Sequence, residues 1–305
     1  MPEGHKAHRR KLIAVVGATA TGKTALAIDL ARRFDGEIAG ADSRQVYRYM
    51  DIGTAKPTAE EVARAPHHLV SIVDPDQPFG LRIWLNLALD ALDDIWARGK
   101  QPLLAGGTGQ YIWALLEGWR VPSVAPQPGL REELLSRPAA ELVAELERVD
   151  PEAGLYIDPR NVRRVVRALE VQAMTGRPLS YWRTKEPPAF DCLVIGLHLP
   201  RVELYRRIDD RVDEMFATGF VDEVRVLLQR GYSRELPAMS GIGYREVCEH
   251  LAGECSLESA VERTKTGTHR LARHQNAWFK RSDARIRWLE PGEDAVGIVG
   301  RWLTL

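Results

Sequence analysis

The sequence predicts an α/β fold, a doubly wound parallel sheet into which a small helical domain is inserted. Three observations carry that prediction. Short apolar runs, such as Leu12-Ile13-Ala14-Val15-Val16, alternate with longer stretches of helical periodicity, as strands buried on both faces alternate with covering helices. The first of these runs passes through a glycine-bounded loop, 17–24, directly into a helical stretch. From 122 to 190 no strand pattern appears; Pro122, Pro126, Pro128 and Pro138 interrupt the chain and helical segments follow.

In order along the chain, residues 1–10 are basic without an apolar segment, so they read as a disordered lead-in and not a secretory signal. The first part of the core is expected over 11–121. It opens with a strand at 11–16 and a helix at 25–34 that places Leu26, Leu30 and Phe34 on one side. A short strand at 36–41 ends at Asp42. Residues 50–57 form a loop, and 67–75 read as another strand with an acid, Asp74, near its end. A helix at 84–98 is closed by Gly99. A strand at 101–105 runs into Gly106-Gly107-Thr108-Gly109, and a helix at 110–117 follows. The inserted domain, 122–190, carries helices at 139–149 and 161–175. The core resumes over 191–305 with a strand at 192–199, helices at 201–218 and 221–230, a glycine-bearing loop at 240–245 that opens a helix, a long basic helix at 259–281 and a last strand at 286–289.

Composition narrows the class. Hydrophobic residues are 45% and charged residues 28% of the chain, which suits a globular protein and excludes a disordered one. No apolar run reaches bilayer-spanning length. Cys192, Cys248 and Cys255 are widely spaced with no C-x-x-C pair, against a zinc module or disulfide framework and in keeping with a reducing cytoplasm. The net charge is zero, but its distribution is uneven. Six arginines accompany one acid between 160 and 183, and eight Lys/Arg accompany two acids between 262 and 287, whereas acids gather at 203–223. Segregated positive charge in a neutral chain marks a polyanion-binding face. Either segment alone would read as a solvated helix face.

Gly17-Ala18-Thr19-Ala20-Thr21-Gly22-Lys23-Thr24 matches G-x-x-x-x-G-K-[ST]. After a strand and before a helix, such a loop turns successive backbone N–H groups toward an anion, and the helix N-terminus adds its partial positive charge. All eight residues are therefore expected to line a di- or triphosphate site, with Lys23 reaching the terminal phosphate and the Thr24 hydroxyl offered to Mg2+. The fold class sharpens to P-loop NTPase-like. Ligands of open parallel sheets bind at the carboxyl ends of the strands, so Asp42 is expected on the same rim as the loop. Triphosphate hydrolysis is not the obvious outcome: the later rim carries Thr108, a hydroxyl, and no N-K-x-D guanine signature is present.

Beyond the loop, Asp42-Ser43-x-x-Val46-Tyr47, Met50-Asp51-Ile52-Gly53-Thr54-Ala55-Lys56-Pro57, Gly106-Gly107-Thr108-Gly109-x-Tyr111 and Ile242-Gly243-Tyr244-Arg245-Glu246 follow in one order over 11–282. Together they resemble the tRNA dimethylallyltransferase (tRNA isopentenyltransferase) family. The octapeptide 50–57 is far more specific than the phosphate loop. The resemblance implies transfer of a dimethylallyl group from dimethylallyl diphosphate to N6 of adenosine 37, beside the anticodon of tRNAs reading codons that begin with U. It leaves N6-(dimethylallyl)adenosine and diphosphate. It also implies a cytoplasmic, monomeric enzyme that uses Mg2+ and binds the tRNA anticodon stem-loop. Three positions depart from the commonest family pattern: Ala18 where proline is usual, Thr21 where serine is usual and His274 where a basic residue is usual.

On this reading the loop grips a leaving diphosphate. Asp42 is the expected base for the amine proton, and Thr108 looks like the family threonine beside the reacting centre. Asp42, Ser43, Arg44 and Gln45 form the family's tRNA-contact stretch, with Thr108 beside it and Gln45 positioned to read a flipped base. Further expected tRNA contacts are Arg131, Arg163, Arg164 and Arg167 in the inserted domain, Gly241, Ile242, Gly243, Tyr244, Arg245 and Glu246 in the late motif, and Arg270, Arg273 and Gln275 on the basic helix. Trp278 and Phe279 read as core aromatics. Two other classes fit parts of the sequence. A small-molecule or nucleoside kinase would use the same loop and arginines; a nucleotide-gated RNA-binding module would need no chemistry at Asp42 and Thr108.

Overall fold

The computed structural model describes residues 9–125 and 127–305, so most of the lead-in at 1–10, and Pro126, lie outside the described residues. In chain order the elements are β1 (Arg10–Gly17), α1 (Lys23–Arg33), β2 (Gly36–Ala41), α2 (Ala59–Arg64), β3 (His67–His68), α3 (Leu81–Ala97), β4 (Gln101–Gly106), α4 (Gly109–Leu116), α5 (Pro128–Leu135), α6 (Ala139–Val149), α7 (Val162–Thr175), β5 (Phe190–Leu197), α8 (Arg201–Ala217), α9 (Phe220–Gln229), α10 (Tyr244–Leu251), α11 (Leu257–Trp278), β6 (Ile286–Trp288) and α12 (Ala295–Thr304). The chain forms two compact units. One runs through Trp113 and resumes over Pro188–Leu305; the other is Ala114–Pro187.

The first unit holds a parallel sheet in the order β3-β2-β4-β1-β5-β6. β1 lies at its centre and is buried from Leu12 onward, which explains its unbroken apolar run. Ile13 and Val15 alternate onto one face and pack with Ile28 and Leu30 of α1, Leu103 of β4, Ile195 of β5 and Val299 of α12. The register aligns Val16 of β1 and Ala41 of β2 with the same residue, Gly106 of β4. The segments that leave these strands, beginning at Gly17, Asp42 and Gly107, therefore emerge side by side on one rim.

The expected strand at 67–75 shrinks to His67–His68. Leu69 and Ser71 take left-handed backbone angles, φ +64° and +54°, which no strand tolerates. Val73 instead bridges Tyr47. Asp74 pairs with Arg48 at 3.3 Å. α2, α5 and α12 add to the helices read from periodicity; Thr58 and Glu61 form a capping box on α2, Pro128 opens α5, and Asp294 accepts the Gly297 N–H at the start of α12.

In the second unit, Leu134, Leu142, Leu146, Val165, Val166 and Leu169 of α5, α6 and α7 make a separate apolar core. Beside it Glu170, fully buried, accepts the Gln127 N–H at 2.7 Å and bonds from Arg131 and Arg167. Burial pushes its carboxyl up, but these donors outweigh burial and hold it below the usual range.

Candidate active site at the carboxyl ends of the strands

The phosphate loop leaves β1 at Gly17 and re-enters regular structure at Lys23. Gly22 caps α1 at φ +94°, a left-handed geometry that glycine adopts without strain. The loop's outer surface is not solvated. Ala18 and Ala20 pack against Leu204, Ile208 and Val212 of α8 and Ala272 of α11, so two late helices wall the cradle. Ala18, in the place of the more usual proline, supplies the carbonyl that accepts bonds from Thr21 Oγ1 at 2.9 Å and Lys23 Nζ at 2.6 Å.

The loop holds a poorly solvated cation. Burial lowers the pKa of the Lys23 ammonium to about 8; Asp42 pulls it back up and Arg211, on α8, pushes it further down. Arg211 is itself depressed by burial and makes no hydrogen bond or ion pair among the described residues. Two poorly solvated cations within electrostatic reach of each other favour an anion between them. Arg211 escaped the sequence reading because it sits in the acid-rich stretch 203–223. Only the packing of α8 on the loop reveals it. The Thr24 hydroxyl, half-buried in the first turn of α1, makes no hydrogen bond to protein among the described residues. No group of three or more His, Cys, Asp or Glu able to hold a metal was found among the described residues. The Thr24 hydroxyl is thus the loop side chain that could offer an oxygen to a metal ion.

Asp42 begins where β2 ends. Its Oδ1 accepts the N–H groups of Arg44 at 2.8 Å and Gln45 at 3.3 Å, the local turn that aspartate favours, while Oδ2 has no partner among the described residues. Thr108 follows β4. It donates its N–H to Ala41 O at 3.2 Å and accepts the Ser43 N–H on Oγ1 at 3.1 Å. The expected pair, Asp42 and Thr108, is thus brought together through Ser43. The Arg44 guanidinium donates to the carbonyls of Pro237 and Ala238, and the Gln45 amide to those of Thr54 and Ala55. In this structure both side chains serve loop architecture.

The octapeptide is held by a residue the sequence reading passed over. Glu223 of α9 accepts the N–H groups of Asp51, Ile52 and Gly53 and the hydroxyl of Tyr244 at 2.6 Å. Lys56 completes the clasp by donating to Tyr47 O and to Asp51 at 2.6 Å. A glutamate 170 residues downstream of Gly53 leaves no local signal.

The expected tRNA contacts divide by burial. Arg163 and Arg164 of α7, Arg245 of α10 and Arg270 and Arg273 of α11 are exposed. Arg245, Arg263 and Arg270 line a cleft of about 410 Å³ with Glu246, Glu262 and Thr266. Arg273 donates to Tyr205 OH at 2.8 Å. Arg131 and Arg167 keep about a third of their side-chain surface while bonded to Glu170. Three expected side chains point the other way. Tyr244 and Glu246 are 1% and 2% exposed, one bonded to Glu223 and the other capping the Gly243 N–H; they build the loop that displays Arg245. Gln275 is 7% exposed and faces the phosphate loop. Of the glycines expected alongside them, Gly241 and Gly243 are buried, while Ile242 is half-buried.

Known proteins resemble this chain in sequence and fold. A family profile described as IPP transferase matches residues 45–282, and one described as isopentenyl transferase matches 10–68. The chain is 55% identical to the tRNA dimethylallyltransferase of Roseiflexus castenholzii over 88% of its own length and 90% of that protein's. It is 54% identical to the one from Roseiflexus sp. strain RS-1, over 96% and 98%. Among solved structures, the tRNA isopentenylpyrophosphate transferase of Bacillus halodurans superposes with a TM-score of 0.71 at 37% identity, covering 97% of this chain and 96% of that one. A eukaryotic dimethylallyltransferase captured acting on tRNA gives 0.79 at 30% identity, covering 92% and 73%. With its G-x-x-x-x-G-K-T loop, a rim carboxylate and these relatives over nearly its whole length, the chain belongs to the IPP transferase family, whose members here are named tRNA dimethylallyltransferases.

Proposed function

We propose that this enzyme transfers the dimethylallyl group of dimethylallyl diphosphate to N6 of adenosine 37 in tRNAs that read codons beginning with U, in the cytoplasm and as a monomer. The observation that carries the reading is that the Lys23-bearing loop, Thr108 and Asp42, whose second oxygen has no partner among the described residues, emerge side by side on one rim.

Each residue has a task. The N6 lone pair attacks the allylic carbon, the carbon–oxygen bond breaks, and the electron pair departs with the diphosphate. The backbone N–H groups of the loop, Lys23 and Arg211 receive the charge that builds on the leaving oxygens. Lys23 exchanges its bond to Ala18 O for the diphosphate, which restores its proton affinity. Thr24 and the diphosphate would hold Mg2+, which when bound neutralises leaving-group charge. Asp42 Oδ2 takes the proton that N6 loses. Thr108, accepting from Ser43, keeps its own O–H free to donate into the same rim. The exposed arginines 163, 164, 245, 270 and 273 meet RNA phosphates, and Arg131 and Arg167 present what Glu170 leaves of their donors. Extruding the base from its stack costs a few kcal/mol, which these contacts offset.

One incubation tests the reading. The protein is mixed with Mg2+, unmodified tRNA and labelled dimethylallyl diphosphate, and in parallel with labelled ATP. Label passing from the allylic donor to tRNA is expected. Phosphate transfer from ATP without prenyl transfer would establish a kinase instead.

A further inference from the structure

We propose that Gln275 is a positioning residue for the diphosphate donor, not a contact for tRNA: from α11 it ties the tip of the phosphate loop and packs against the loop that bears Thr108. The proposal rests on the reading that the 17–24 loop grips a diphosphate.

The placement of Gln275 follows from helical spacing. Ala260, Thr264, Ala272 and Gln275 form the buried stripe of α11, whereas Arg270 and Arg273 are exposed. A carboxamide on the buried stripe needs partners, because an unpaired buried amide is costly. Gln275 Oε1 accepts the Thr19 N–H at 2.7 Å, a bond spanning 256 residues of sequence. The other end of the amide lies against the neighbouring loop. A Cβ added to Gly107 would stand 2.3 Å from Gln275 Nε2, so the amide occupies the space that a side chain at 107 would need. Thr108 is the next residue.

The bond has a consequence for the cradle. Thr19 lies between Ala18 and Ala20, which are fixed by packing on α8 and α11; Thr19 itself is held by Gln275. With its tip tied, the loop need not be ordered by the ligand. Freeing one residue's backbone is worth roughly a factor of ten in affinity. The same side chain sets the spacing between cradle and Thr108 loop, so its loss should be felt at the donor and in turnover while the exposed face of α11 is unchanged.

The test uses the full chain and four measurements: affinity for inorganic pyrophosphate with Mg2+, KM for dimethylallyl diphosphate, kcat, and the Kd for unmodified tRNA across a salt series. Gln275→Met fills the same volume without an acceptor. Gly107→Ala displaces the amide from the opposite side. Both are expected to weaken pyrophosphate and raise the donor KM about tenfold, with tRNA Kd and salt slope within about twofold of wild type and a melting temperature lowered by only about 2–4 °C. Combining them should add little, since both act through one bond. If Gln275→Met weakens tRNA more than about fivefold while donor parameters hold, or leaves every parameter unchanged, the proposal is overturned. If the wild type moves phosphate from ATP and no prenyl group, the functional reading fails separately. The ratio of pyrophosphate affinities between wild type and Gln275→Met still decides the role of Gln275.

Discussion

Replacing Asp42 by asparagine separates chemistry from structure at one side chain. Oδ1 already serves two backbone N–H groups, of Arg44 and Gln45, and an asparagine carbonyl can accept both. The fold should therefore lose less than about 1 kcal/mol. Oδ2 becomes an amide that cannot take a proton. A general base is worth about 10²–10⁴ in rate, or roughly 3–5 kcal/mol of barrier. Asp42→Ala removes the acceptor as well and leaves two partly buried donors unpaired, adding about 1–2 kcal/mol of destabilisation. Single-turnover transfer of labelled dimethylallyl diphosphate at saturating tRNA reads the rate; filter binding reads tRNA affinity; thermal unfolding reads stability. The expected pattern is a rate loss of about 100-fold or more in both variants, tRNA Kd within about threefold of wild type, and a stability loss confined to alanine. If asparagine retains a third or more of the wild-type rate, Asp42 is not the base. If rate and tRNA affinity fall together, Asp42 acts as a contact.

Other consequences follow from the same contacts. Lys23 is charged below about pH 8 and neutral above it, so pyrophosphate affinity should fall as pH rises through 8, and Lys23→Met should abolish that limb in a titration of binding against pH. In the free chain the sign reverses: between about 8 and 10.5 the unfolded state binds more protons at this lysine, so its contribution favours folding as pH rises. Glu223→Gln turns one of two accepting oxygens into a donor facing donors; we expect about 3 kcal/mol of destabilisation, a fall of about 6–12 °C in melting temperature, read by calorimetry. Glu170→Gln strands two guanidiniums over a buried neutral amide and should cost the helical unit about 2–3 kcal/mol, seen as faster limited proteolysis within Ala114–Pro187. Because the folded pKa of Glu170 is depressed, its stabilisation is present at neutral pH and lost as pH falls through that value. The glutamine variant should lack this acid sensitivity.

Short-range rules carried much of the fold. The run 12–16, the loop to Thr24 and the helix behind it are set by apolar patterning and by glycines at bends, all close together in the chain, and β1 and α1 appear where that pattern puts them. The rim followed too: Asp42 and Thr108 each sit just past an apolar run, and parallel pairing of equal-length strands brings such positions together. Where local backbone angles break a pattern, as at Leu69 and Ser71, composition misled, because β-branched residues favour a strand that left-handed turns forbid.

The sequence alone therefore determined the cradle, the sheet and the family motifs, since each is written in neighbouring residues. Tertiary structure alone decided which way the remaining side chains face. Arg211 joins Lys23 only because α8 packs on Ala18 and Ala20. Tyr244 and Glu246 turn inward because Glu223 and the Gly243 N–H need them. Gln275, one residue in a basic helix that reads as RNA-facing, reaches Thr19 across 256 positions. Burial and hydrogen-bond partnership between distant segments leave no periodic trace, and at this site they separate the side chains turned into the 17–24 loop from those left exposed.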